Sequence, residues 1–337
     1  MPAATTEAQA GDVILFRGTS VVARLIRLFD GTDWNHCGHL IDTDLLAEID
    51  AGVPVGTKKL SEKLASYGKR GESYAGVFRL KRAIDGTITS MQPLAESTGA
   101  IIARAPSYGY DAIILLFLLS ISKKVPSIPW WGRALITLVG RRAAGLLLDL
   151  EQNGKAPLIC SAFTHHAYGS VATDQDKFSI GVPGFRLAAL REARKRRPRA
   201  MLAPEPGSIL AEHMKSRTAL LTQSTPGLRR SQLVPTDIPE MAAIEKAGAD
   251  FLKKARGQTP GREPVRTPRA AAVLANNPDL ASAIETALQF FPAVGPGARG
   301  AALIGGEDRL VSPGDLSASA SLKQVGRLDA DGTFTSV

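Results

Sequence analysis

The stretch "NHCGHLIDTDLLAEID", residues 35–50, holds two histidines, one of the chain's two cysteines and a glutamate in what reads as one β-hairpin. In a strand successive side chains point to opposite faces, so His36, Gly38 and Leu40 share one face while Cys37, His39 and Ile41 share the other. His36 therefore cannot serve its neighbour Cys37. The turn Asp42-Thr43-Asp44 joins this strand to "LLAEID", and an odd-numbered loop makes facing positions sum to an even number. In that register Glu48 shares the face of His36, directly opposite or one diagonal step away, and its carboxylate can hold the imidazole. A loop of even length would reverse the faces.

A nucleophilic thiol needs a base within hydrogen-bond reach and a third group that holds the base. The partner of His36 must therefore come from elsewhere. The remaining cysteine lies in "APLICSAFTHHAYG", residues 156–169. Pro157, Leu158 and Ile159 read as an extended approach, and from Cys160 onward Phe163, Ala167 and Tyr168 recur at helical intervals until Gly169. Cys160 thus stands at a helix N-terminus, where unpaired amides and the helix dipole favour a thiolate and can line an oxyanion hole. The competing reading is a small buried hydrophobe in a core helix.

The rest of the composition sets bounds. With 337 residues, 44% hydrophobic and 22% charged, the chain is expected to fold around one large or two smaller cores. The start "MPAATTEAQAGD" lacks a basic segment followed by an apolar one, so no signal peptide is expected. The apolar run Ala112–Ile121 is about half the length needed to span a bilayer. Two cysteines cannot build a disulfide framework, and both are expected as reduced thiols in a cytoplasmic protein that can associate with a membrane surface. The net charge of +9 is uneven: Arg186, Arg191, Arg194, Lys195, Arg196, Arg197 and Arg199 crowd one stretch against Glu192. That stretch is either a solvated helix face or a contact for an anionic partner such as phospholipid, nucleic acid or cell-wall polymer. No motif for specific nucleic-acid binding accompanies it, and 6% aromatic content leaves few stacking platforms. Oligomeric state is not legible.

Along the chain, "DVILFR" (12–17) reads as a buried strand. A helix follows from the cap Ser20 through Val22, Leu25, Ile26 and Phe29 to Gly31. After the hairpin comes a strand at 74–81, then helical patterns over 88–104, 109–122 and 133–150. Beyond residue 200, frequent prolines punctuate two helical stretches, 240–256 and 269–291, and no strand stands out. The expected organisation is a flexible N-terminus (1–10), a section of mixed strands and helices (11–199), a helical, proline-rich insertion or appended region (200–308), and a flexible C-terminus (329–337). His39 reads as a core histidine, and one of His165 and His166 as core with the other on the surface. A zinc site drawn from His36, Cys37, His39, Glu48, His165 or His166 has the right donor types, but no spacing matches a zinc pattern, so neither metal nor cofactor is expected. Trp130 and Trp131 read as a lid, an interface anchor or ordinary packing.

In order and combination, "GDVILFRG" (11–18), "WNHCGHLI" (34–41), "LLAEIDAGV" (45–53) and "LICSAFTHHAYG" (158–169) resemble the consecutive motifs of the circularly permuted papain-like cysteine hydrolases. These are the YiiX-like branch of the NlpC/P60 superfamily, related to lecithin:retinol acyltransferase. The resemblance implies an α+β fold, an antiparallel sheet packed against helices, with an additional helical region here. It also implies that Cys160 is the nucleophile, His36 its base and Glu48 the residue that orients the base. "LVSPGDLSASASLKQVGRL" (310–328) resembles the closing segment of that family, which implies that 11–199 is the catalytic domain and 309–328 a segment returning to it. Three function classes follow. The first is a hydrolase cutting an amide bond in a peptide or peptidoglycan stem. The others are an acylhydrolase or acyltransferase acting on lipid-acyl substrates at a membrane surface, and an inert binding protein.

Overall fold

The computed structural model describes residues 8–50, 55–67, 72–104, 139, 159–182, 238–257 and 311–337. The helical patterns over 109–122 and 133–150 (residue 139 apart) and over 269–291, together with Trp130, Trp131 and the basic stretch 186–199, lie outside the described residues.

Strand β1 (Val13–Arg17) is where the sheet is organised: it pairs antiparallel with β2 (His36–Asp42) on one side and with β5 (Tyr74–Leu80) on the other. β2 continues outward to β3 (Leu45–Glu48) and β4 (Gly56–Lys59). β5 continues the other way to β6 (Leu322–Asp329) and β7 (Phe334–Ser336). The result is a seven-stranded antiparallel sheet of order β4-β3-β2-β1-β5-β6-β7, with helices on both faces.

Alternation along β1 decides what lies on each face. Ile14 and Phe16 pack with Leu40, Leu46, Ala75 and Val77 under helix α2 (Leu60–Ser66), which contributes Leu60 and Leu64. Val13 and Leu15 face the other way, toward helices α1 (Val21–Asp30), α4 (Gln92–Arg104) and α5 (Cys160–Gly169). Short helices α3 (Lys81–Ile84) and α6 (Gln175–Phe178) complete this part of the chain.

The caps of α1 are those the sequence implies. The Ser20 hydroxyl accepts from the Ala23 amide at 3.1 Å, and Gly31 adopts φ 75°, which suits a residue without Cβ, so that its N–H reaches the Arg27 carbonyl. Val22, Leu25, Ile26 and Phe29 form its buried face. Before β1, the buried carboxylate of Asp12 receives two bonds from Arg79 of β5, at 2.7 and 2.8 Å, and one from the Gln9 amide. That ion pair fixes the start of the central strand against its neighbour.

Of the two ends expected to be flexible, residues 1–7 lie outside the described residues, while 8–10 and 329–337 are placed. Ala8 is buried, β6 runs to Asp329, and β7 pairs with β6 through Gly326↔Ser336 and Leu328↔Phe334. The Phe334 ring lies over Gly326 and joins the core with Leu328. Within the region 200–308, helix α7 (Ile238–Gly257) buries Ile244 and Phe251 against α1, with Phe251 and Phe29 ring centroids 5.3 Å apart. Helix α8 (Pro313–Ser317) then leads into β6 and is closed by a capping box between Ser312 and Asp315. Among the described residues no helix is long and apolar enough to cross a membrane.

Candidate active site

The β2–β3 hairpin pairs Gly38 with Glu48 after a register shift between Leu40 and Asp42. Glu48 therefore stands one diagonal step from His36 on the same face. A Cβ on Gly38 would meet the Ala47 carbonyl oxygen at 2.7 Å, so only glycine lets the two strands approach this closely. Across this gap His36 Nε2 and Glu48 Oε2 lie 2.7 Å apart.

Glu48 is 2% exposed and serves more than the imidazole. Lys63 Nζ lies 2.9 Å from Oε2, and Lys58 Nζ lies 2.7 Å from Oε1. Lys63, equally buried, also bonds Asp50 at 2.6 Å. Burial alone would raise the Glu48 pKa, but the hydrogen bond and charge of His36, with Lys63 and Lys58, hold the carboxyl well below its ordinary range. The Tyr67 ring stacks on the His36 ring, centroids 5.8 Å apart and 26° between planes, and Phe16 abuts the imidazole on another side. Tyr67 is held in turn: Asn35 Nδ2 donates to its hydroxyl at 2.7 Å, while Asn35 Oδ1 accepts from the Gly18 amide. Burial pushes the Tyr67 phenol well above its usual range, so it is a neutral platform.

Cys160 is the first residue of α5, and no side chain caps that helix; the N-cap position is Ile159. The leading amides thus have no intrahelical partner and point toward the sulfur's end of the helix. One turn on, Thr164 shares the face of Cys160, and its Oγ1 lies 3.8 Å from Cys37 Sγ on β2. The Ser161 hydroxyl bonds the Val311 carbonyl, so the C-terminal segment braces the same helix start. With Nε2 committed to Glu48, His36 has Nδ1 left for sulfur, and His36 and Cys160 each favour the charged form of the other.

The charges of this cluster are coupled. Hydrogen bonds from Cys37 and the charge and hydrogen bond of His36 outweigh burial and hold the Cys160 thiol well below its ordinary value. Burial and the Lys63 ammonium push His36 down, but the Cys160 thiolate and Glu48 prevail and raise it to about 9. The two groups form a thiolate–imidazolium pair. Cys37, fully buried, is driven the opposite way by burial and by the neighbouring thiolate, and keeps its proton.

The other histidines are elsewhere. His39 Nε2 donates to Thr98 Oγ1 at 2.8 Å, because that hydroxyl is itself donating to the Leu94 carbonyl. The His39 ring packs on Phe163 and Tyr168, and burial lowers its pKa to about 3, so it is neutral. His165 is buried and bonds the Ile180 carbonyl, while His166 is half-buried beside Ser170. Among the described residues no group of three or more His, Cys, Asp or Glu side chains is placed to hold a metal.

The structure thus brings together Cys160, His36 and Glu48. It adds Lys63, Lys58, Asp50, Tyr67 and Asn35, none of which the sequence reading singled out. A signal for two of them existed: Leu60, Lys63, Leu64 and Tyr67 fall at i, i+3, i+4 and i+7, so a lysine occupies the apolar stripe of α2. Comparison with protein-family models, curated proteins and solved structures finds no match for this chain.

Proposed function

We propose that this protein is a cysteine hydrolase with a permuted papain-like fold that cleaves an amide bond in a peptide or peptidoglycan stem through a thioester. The observation that carries the reading is the buried Glu48–His36 pair, whose charge favours a thiolate on Cys160 at an uncapped helix start. The order of the matching motifs, with the histidine strand preceding the cysteine helix, supports the permuted form and supplies the substrate class.

In the proposed reaction the Cys160 thiolate attacks the amide carbonyl carbon, and the carbonyl electrons move onto oxygen. Backbone N–H groups at the start of α5 stabilise that oxyanion. The His36 imidazolium gives its proton to the leaving nitrogen as the C–N bond breaks, and a thioester remains. Neutral His36 then takes a proton from water, whose oxygen attacks the thioester carbon and releases the acid and the Cys160 thiolate. Glu48 keeps the ring oriented and stabilises its cationic form throughout.

The test is acylation of the full chain by p-nitrophenyl acetate, read by intact mass and peptide mapping. An acetyl adduct on Cys160 is expected, absent in Cys160→Ala and formed much more slowly in His36→Gln. Protection by added peptide amides rather than by phosphatidylcholine vesicles identifies the substrate class, and the reverse pattern replaces it with the lipid-acyl reading. Equal acylation of Cys160→Ala would end the assignment. So would ordinary thiol reactivity of Cys160, which marks an inert fold.

A further inference from the structure

We propose that Cys37 is a resolving thiol for Cys160, and that peroxide closes a Cys37–Cys160 disulfide which reversibly switches the site off. The inference rests on the proposed role of Cys160 as an activated thiolate and adds a means of regulating it.

The chain has only two cysteines, and the fold brings them together. Cys37 points from β2 toward α5, away from the His36 side of the same strand. There its sulfur lies 3.8 Å from Thr164 Oγ1, one helical turn from Cys160 on the face that meets β2. The two thiols are close enough that each shifts the other's protonation, Cys160 downward and Cys37 upward. Cys37 has no place in the acyl-transfer chain, and a serine, alanine or valine would fill a buried strand position without a reactive atom. Thiol chemistry at this position is what the proposed acyl transfer leaves unused.

The two thiols differ in the way such a pair requires. Cys160 is the one held as a thiolate, and it is the one with any exposure, 5% against 0% for Cys37. Oxidation is selective for a low-pKa, accessible sulfur. The Cys160 thiolate attacks one peroxide oxygen, the O–O bond breaks, and hydroxide leaves to take a proton from the His36 imidazolium, giving water and a sulfenic acid. Cys37 sulfur then attacks Cys160 sulfur. The S–S bond forms, the S–O bond breaks, and the departing hydroxide carries off the Cys37 proton as a second water. The two thiols together lose two electrons and two protons, and peroxide gains them. Burial keeps Cys37 protonated, and once Cys160 is a neutral sulfenic acid the thiolate charge that added to that effect is gone. The product has no thiolate and no nucleophile, and a dithiol reductant restores both.

The experiment treats the reduced full chain with a small molar excess of hydrogen peroxide, then reads intact mass, non-reducing peptide maps and iodoacetamide labelling of Cys160. The expected result is a mass lower by two hydrogens, a cross-link between the peptides holding Cys37 and Cys160, and loss of labelling that dithiothreitol restores. In Cys37→Ser the cross-link is absent, oxygen accumulates on Cys160 as sulfinic acid, and dithiothreitol no longer restores labelling. If the unmodified chain instead collects oxygen on Cys160 without a cross-link, the disulfide proposal is overturned while the nucleophile reading stands. A Cys160 that neither oxidises nor labels at neutral pH removes both.

Discussion

One ammonium group, Lys63 Nζ, sets how charge is shared in the candidate site. It sits within 2.9 Å of Glu48 and 2.6 Å of Asp50, buried under Phe16 and Tyr67, and it opposes the protonation of His36. Removing a like charge favours the imidazolium, so Lys63→Met moves the His36 midpoint upward from about 9. The shift is on the order of several tenths of a pH unit to one unit. An NMR titration of the His36 ring carbon-bound proton, assigned with His36→Gln, reads it directly; an unchanged or lowered midpoint would contradict the electrostatic role. Glu48→Gln has the opposite sign, because the retained amide oxygen still accepts from the ring but the stabilising charge is lost. His36 and Glu48 were legible because strand alternation and a short turn fix which side chains meet. Lys63 was not singled out: a lysine in a helical pattern normally belongs to the solvent face, and its place in the apolar stripe of α2 gains meaning only with its burial beneath two aromatic rings.

The segment Val311–Ser317 illustrates how an element far away in sequence holds the site in place. Ser312 Oγ donates to Asp30 Oδ1 at 2.8 Å, the Gly314 amide donates to Asp30 Oδ2 at 2.7 Å, and Val311 receives the Ser161 hydroxyl at the start of α5. Asp30 ends α1, where a carboxylate is disfavoured by the helix dipole, and the N-terminal turn of α8 compensates it. Ser312→Ala removes the cap of α8 and one of these bonds to a buried carboxylate, and is expected to destabilise the protein by about 1–3 kcal/mol. Urea denaturation should show a lower midpoint with an unchanged slope; a midpoint equal to that of the parent would mean α8 does not brace the core. Elements with strong periodicity and caps, such as β1, α1, β2, β5 and α5, were readable from sequence for the same reason they are stable: apolar faces and local hydrogen bonds agree. β4, "GTKK", was not readable, since an edge strand with alternate residues half-exposed lacks the apolar alternation and carries lysines that suit an edge. β7 escaped for a similar reason, having three residues of which only Phe334 packs inward.

At the scale of the molecule, the sheet is completed by strands that no local pattern could join: Tyr74–Leu80 pairs with Leu322–Asp329 across nearly the whole chain. The helix carrying Cys160 is then laid on the β2 side of this sheet, so burial and protonation of the site are properties of the entire fold. Linkage makes that measurable. Between about pH 6.5 and 9 the folded site holds its proton on His36 while Cys160 is bare, and the unfolded chain holds it on Cys160 while His36 is bare. Each state binds one proton there, so the pair adds no slope to stability across that window. Below 6.5 the unfolded chain gains a proton on His36 that the folded chain already has. It gains another on His39, whose folded value is about 3. His39 is the depressed case: its contribution is complete above 6.5 and is lost as pH falls toward 3, at about 1.4 kcal/mol per pH unit. The depressed Glu48 adds to the loss only below its ordinary value of 4.5. His39→Gln keeps a donor for Thr98 but cannot titrate. Urea midpoints at pH 7.5, 5.5 and 4.5 should therefore fall less steeply in the variant, by one proton's worth of slope, even if its stability at pH 7.5 is lower. Parallel curves for the two proteins would show that His39 is not buried neutral, and would place the acid sensitivity in the Cys160 pair alone.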